Sequence, residues 1–580
     1  MQALNLSHHV AIVRVTLAGK CATLRQHNPM PNFHAMEPSA HAASTRIDGR
    51  RYPSMGRLRD PSSGVSARLI AASGGLIAIL LLAGCATPPD LPHAEPLRTL
   101  HRENMLWLER VSFGLDTPIV AEYRRLGRER FLDRQLHPSE EILPAPIAAQ
   151  IASLEITRAD PVHLLAGVNA QNKIINAMSN GPDKDQARKA LNDHGNQLAY
   201  EAIRRDLLRA VYSPAQLQQL MTWFWLNHFS VFQYKANLRW LVGDYEERAI
   251  RPHVFGHFRD LVMATLEHPA MLQYLDNNQN AAGHVNENYA RELLELHTLG
   301  VSGGYSQRDV QELARVLTGV GINVGDAPHL KPEMQRLYLR IGAFEFNPAR
   351  HDFGAKTILG QPIAGKGFGE VEDAVKLIVS RPACARFISR ELAIYFVADN
   401  PPPALIERMA QTFMQTDGDI AAVLHVLFMS RELDASLGGK LKDPMRFVVS
   451  AVRFAYDGKT ISNARPMLNW LNGLGEAPYG RQTPDGYPLT ELGWASSGQM
   501  SRRFEIARII GAGNAALFDP EDAGAAGAAG AAGFPQLSNR LYFEAVEPFL
   551  AARSKDALNR ANSQQEWNTF LLSSPDFSYE

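Results

Sequence analysis

The sequence predicts a mainly α fold, a large multi-helix domain with a small β-hairpin insertion. Three observations carry that prediction. From about residue 102 onward, apolar residues recur at helical spacing. Residue pairs that start helices punctuate the same span. Only one stretch, between 336 and 363, departs toward the two-residue period of a strand.

The helix starts can be taken in order. Ser213-Pro214-Ala215-Gln216 offers an N-cap, a proline at the first helical position and a glutamine placed to close a capping box. Ser306-Gln307-Arg308-Asp309 is a looser version with Asp in the closing place. Asp443-Pro444 opens KDPMRFVVSAVRFAYD, and Ser563-Gln564-Gln565-Glu566 opens the last helix. About a dozen helices are expected between 102 and 573. RLYLRIGAFEF (336–346) alternates, and TILGQPI (357–363) is available to pair with it as a small hairpin or ribbon. The Ala/Gly repeats of 523–534 read as a surface loop.

The N-terminal 101 residues are organised differently. Residues 69–84 read LIAASGGLIAILLLAG, with Arg57, Arg59 and Arg68 before them and Cys85 after. That run has the length of a signal peptide core and falls short of the roughly 20 apolar residues a spanning helix needs. Leu82-Ala83-Gly84-Cys85 resembles the bacterial lipobox. In such signals the cysteine thiol is acylated and the chain is cut just before it. Acyl chains anchor durably, because each buried methylene adds about 0.8 kcal/mol. Ala86 is non-acidic, which by the same resemblance implies sorting to the outer membrane, facing periplasm or cell surface. Residues 55–84 are thus expected to be a lipoprotein signal, 85–101 a Pro-rich linker and 102–580 the helical domain. Residues 1–54 are polar and lack a sustained period. They are expected to be a mis-called or disordered extension, with Met55 as the true start.

Charge is balanced, with 59 basic and 60 acidic residues, which argues against nucleic acid as a partner. Cys21 precedes the signal and Cys85 is the lipid site. Cys384 is then the one thiol left, so no disulfide framework is expected. It lies in an apolar helical stretch and reads as a small buried hydrophobe.

The densest chemistry runs from Trp223 to Val320. NENYARELLELHTLGV (286–301) reads as a helix starting near Asn286. At 100° per residue, Leu293, Leu296 and His297 share one side. Glu287, Asn288, Arg291, Glu292, Glu295 and Thr298 share the other. Such a face is either solvated or lines a cleft, where like carboxylates raise a pKa or call for a cation. Asp276, Asn278, Asn280 and Glu287 follow the D-x-N-x-N…E spacing of a Ca2+ loop. Ala281 stands where glycine is expected and His284 is atypical at the ninth position, so an Asn-rich turn is the alternative. His351-Asp352, with Lys356 beyond, is either a catalytic pair on a loop or a hydrogen-bonded turn. His228 reads first as a satisfied core histidine. His253 and His257 stand at i, i+4 without an evident third ligand. Gly300-Val301-Ser302-Gly303-Gly304 matches G-x-S-x-G, but a helix precedes it where the hydrolase elbow needs a strand. Gly300 is therefore expected to cap that helix.

WFWLNHF (223–229), FRDLVMATLEHPAMLQYLDN, NENYARELLELHTLGV and YSQRDVQELARVLTG together resemble the bacterial family called domain of unknown function 1800. HDFGAKTILG (351–360), KDPMRFVVSAVR (442–453) and LLSSPDF (571–577) extend the resemblance over nearly all of the chain beyond the linker. Two departures stand out: Val320 and Tyr487 occupy places where the family tends to carry tryptophan. The resemblance implies a helical exported protein and an exported partner resembling sulfatases or phosphatases, and it implies no reaction. The expected function is that of a membrane-anchored lipoprotein acting as a binding or accessory module. The alternative is a hydrolase-like or metal-dependent enzyme whose site is Glu287, Arg291, Glu292, Glu295, His351 and Asp352.

Overall fold

In a computed structural model the described residues are 100–139, 141–519 and 534–580. Cys85, the segments 1–54 and 55–84, the linker up to residue 99 and all but Phe534 of the Ala/Gly loop lie outside them. The fold is mainly α with a few short antiparallel strands, as the periodicity predicts. Many helices are only one or two turns long, so the described residues hold more helical segments than the expected dozen.

The helices that position the site are α1 (Arg102–Arg110), α2 (Pro182–Tyr212), α3 (Gln216–His228), α4 (Asn288–Glu292) and α5 (Gln307–Val316). Farther along the chain come α6 (Pro382–Phe396), α7 (Pro444–Ala455), α8 (Ser497–Gly511) and α9 (Gln564–Leu572). Every residue of α7 is buried, which marks it as a core helix. Asp443 caps it by accepting from Arg446 N. Ser306 and Asp309 form the expected capping box on α5, and Ser563 caps α9. The expected box at Ser213 does not form. The Ser213 hydroxyl accepts from Ala215 N instead, and α3 begins only at Gln216. The Gln216 amide turns back to Ala210 O and Ser213 O, satisfying carbonyls at the end of α2.

The β insertion also differs from expectation. β2 (Leu339–Ile341) and β3 (Phe344–Phe346) pair across a two-residue turn, with Gly342 at φ 59°. The third strand of that sheet is β1 (Val320–Ile322), which pairs with β3 on its other side. The 357–363 segment does not join it. Leu359 and Gly360 both have positive φ, 50° and 76°, so the segment folds back on itself as β4 (Thr357–Ile358) and β5 (Gln361–Pro362). Among the described residues no helix is long and apolar enough to cross a membrane.

Candidate functional site

The chain from Leu293 to Thr298 is a π-helical turn continuing α4. Leu299 N donates to Leu294 O, five residues back, and the Thr298 hydroxyl donates to Leu293 O. The extra residue per turn changes which side chains are buried. Thr298, expected on the polar side, is buried, and Leu296, expected inside, is half-buried and lines a cleft. Single π turns of this kind recur at functional sites. Gly300, at φ 77°, ends the helix as expected.

The π turn also brings the His297 carbonyl to the end of α3. His228 Nε2 stands 3.0 Å from that oxygen. A carbonyl only accepts, so Nε2 carries the hydrogen and Nδ1 is left as a lone-pair acceptor. Burial pulls the His228 imidazole down to about 4, against the upward effect of this hydrogen bond. His228 is therefore neutral at physiological pH. His297 itself is fully buried beside Phe229, and burial holds it well below the usual histidine range.

His228 opens into a cleft of about 210 Å3. Phe224, Phe387 and Tyr487 give it aromatic walls, and Glu295, Glu391 and Asp485 give it acid. Glu295 is hydrogen-bonded to Tyr305. Asp485 is held by Arg481 at 2.9 Å and by the Thr483 hydroxyl, which keep it below the usual carboxylate range despite burial. Glu391 has no hydrogen-bond or ion-pair partner among the described residues. Burial pushes it up to about 6, with Arg390 opposing. Glu292 lies just behind, raised by burial and by Glu295.

The 484–489 loop is fixed by one side chain of α3. Asn227 Oδ1 accepts from Tyr487 N at 2.6 Å, and Asn227 Nδ2 donates to Tyr487 O at 3.0 Å. Gly486 stands at φ 70°, and a Cβ there would lie 2.4 Å from the Asn227 carbonyl. Only glycine fits that approach. Trp223 stacks on Tyr487 at 6.4 Å, so tyrosine fills the aromatic place.

The predicted site residues separate into three groups. Glu295 lines the cleft, and Glu292 stands beside Glu295 without lining it. Glu287 and Arg291 pair with each other at 3.0 Å and share Gln307 at the start of α5, outside it. His351 and Asp352 sit at the far end of α5. Asp352 takes a two-pronged contact from Arg315, which holds it down to about 2. His351 Nδ1 is 2.7 Å from Thr318 O, and its ring is buried against Phe346 and Phe353. Glu370 lies 3.4 Å from the other ring nitrogen and 2.6 Å from Lys356. His351 and Asp352 are held in a hydrogen-bonded turn, and neither lines the His228 cleft.

The calcium donor set is not assembled. Asp276 is paired with Lys235 at 2.8 Å. The Asn280 amide donates to Ala314 O and accepts from Asn286 N, while Glu287 turns to Arg291. The Asn278 side-chain oxygen is buried without a partner. Asn286 Oδ1 accepts from Asn288 N as a local cap, with α4 starting two residues beyond the expected point. The Asn side chains here brace the turn between the two helices. His253 and His257 are separated by non-helical chain, and His257 Nδ1 contacts Asp417 O. Among the described residues no group of three or more His, Cys, Asp or Glu side chains is placed to hold a metal ion. Cys384 is fully buried, with its thiol pushed far above the usual range.

Asn227, Glu391 and Asp485 were not singled out by sequence. Glu391 is one acid on a largely apolar helix and carries no local signal. Asn227 lies in WFWLNHF, a segment that carries the family resemblance, and Tyr487 stands at one of the two departures from it.

No curated protein and no solved structure matches the chain. The family described as Protein of unknown function (DUF1800) matches residues 106–579. The cleft lies wholly within the matched residues, and the chain belongs to the DUF1800 family.

Proposed function

We propose that the protein is a lipid-anchored binding module of the bacterial envelope, and that its ligand occupies the His228 cleft. The observation that carries this reading is the convergence of Glu295, Glu391 and the neutral His228 Nδ1 between aromatic walls. Carboxylates and an imidazole lone pair accept hydrogen bonds, and flat rings cover apolar faces. The fitting ligand is small and rich in hydrogen-bond donors, such as a sugar or amino-sugar unit. Calorimetric titration with sugars and amino sugars tests it, with Glu295→Gln losing at least about tenfold in affinity. The absence of saturable binding across that panel would overturn it.

Membrane anchoring rests on the lipobox ending at Cys85. Replacing Cys85 by Ser is expected to abolish acylation, read by mass spectrometry of the N-terminal peptide. An exported partner of sulfatase-like or phosphatase-like fold belongs to the same reading and is sought by cross-linking in the envelope.

One observation favours a second, hydrolase-like reading. His228 offers a base and Glu391, held up to about 6, offers an acid in the same cleft. Hydrolysis of ester, phosphoester or glycoside substrates that disappears in both His228→Gln and Glu391→Gln would establish it.

A further inference from the structure

A cavity of about 510 Å3 lies between α1, the 438–439 turn, α7 and the 545–577 segment. That volume falls within the ~300–1,000 Å3 of small-molecule sites. Leu106, Leu115, Phe454, Val546, Phe549 and Phe577 are large apolar contributors to its lining. Gly438, at φ 79°, sits beside Leu106 and the Arg102 guanidinium.

The charges around this cavity are unevenly matched. Its two acids are engaged. Glu109 faces Lys442 at 3.4 Å, and that ammonium also lies over the Phe577 ring at 4.5 Å. Asp576 accepts from the Ser554 hydroxyl and from Ala551 N. Its two arginines, Arg102 and Arg553, are exposed, and neither has a partner among the described residues. An apolar pocket with two unpaired guanidiniums in its lining is complementary to a chain-like apolar body ending in a single anionic group.

The geometry points to a binding site for a single-chain fatty acid, with the tail in the cavity and the carboxylate on Arg102 and Arg553. This site is separate from the His228 cleft, and the two share no lining residue.

Displacement of a fluorescent fatty-acid analogue from the delipidated full chain tests the assignment. Palmitate is expected to compete saturably, and hexadecanol, with the same tail and no charge, at least about tenfold more weakly. The double variant Arg102→Glu/Arg553→Glu changes only exposed positions and should remove that preference with an unaltered melting temperature. Val546→Trp fills the cavity and should weaken palmitate at least about tenfold. If Val546→Trp fails to fold, the exposed double variant decides alone. The assignment is overturned by any of four results. These are no saturable palmitate binding, equal binding of palmitate and hexadecanol, an unchanged double variant, or a lysophospholipid that binds while palmitate does not.

Discussion

At Glu391 the surroundings act on a single proton. Burial raises its carboxyl from the ordinary 4.5 to about 6. A raised folded-state value means the carboxyl stabilises the fold fully below pH 4.5, and that contribution is lost as pH rises through 6. Glutamine has no proton to lose. Glu391→Gln is therefore expected to gain on wild type between pH 4.5 and 6, reaching about 1–2 kcal/mol once partial exposure is discounted. Urea unfolding at pH 4.5 and pH 7 reads the difference. An equal gap at both pH values would remove the case for a strained carboxyl in the cleft. The same residue shows what sequence leaves hidden. Burial of Glu391 depends on α3 and the 484–489 loop packing near α6, and no local pattern encodes that. His228 was visible as a histidine after an aromatic run, but its tautomer depends on a carbonyl 69 residues away.

Among elements, the α4–π turn and the α3–loop clamp position the cleft, while α5 carries a separate knot. Sequence periodicity located α4 and α5 correctly because both present apolar residues to the core at helical spacing. It misassigned Leu296 and Thr298 because a 3.6-residue period has no place for an inserted residue. The clamp predicts that Gly486→Ala forces Tyr487 away from Asn227, costing about 1–3 kcal/mol of strain and lost contacts. Ligand affinity in the His228 cleft should fall with stability. A variant of unchanged melting temperature would refute the close approach. The α5 knot predicts the reverse pattern. Asp352→Ala removes both Arg315 contacts and should cost about 1–2 kcal/mol while leaving cleft affinity unchanged. Loss of ligand binding without loss of stability would return Asp352 to the functional site.

Across the whole molecule, the cleft is backed by a buried charge network that ties distant segments together. Arg251 contacts Glu246 at 2.6 Å, Glu247 at 3.2 Å and Gln219 at 2.7 Å, with Asp206 at 3.7 Å. The Tyr479 hydroxyl donates to Glu246 at 2.6 Å, and Tyr479 opens the loop that carries Asp485 and Tyr487. Sequence could show that α2, α3 and the 245–250 segment are helical, and it could not show that their charges meet. Burial and Glu246 push Asp206 up to about 8, so Arg251 is what allows two acids to share this interior. Removing one partner of a buried ion network leaves the others uncompensated, at about 3–5 kcal/mol. Arg251→Met is expected to destabilise by that amount at pH 8. The loss should shrink at pH 5, because Asp206, raised to about 8, is then protonated and sheds its buried charge. Urea unfolding at both pH values checks the magnitude and its direction. A deficit that stays constant or grows toward pH 5 would mean that Arg251 stabilises by packing alone, and that the loop behind the cleft is held by other contacts.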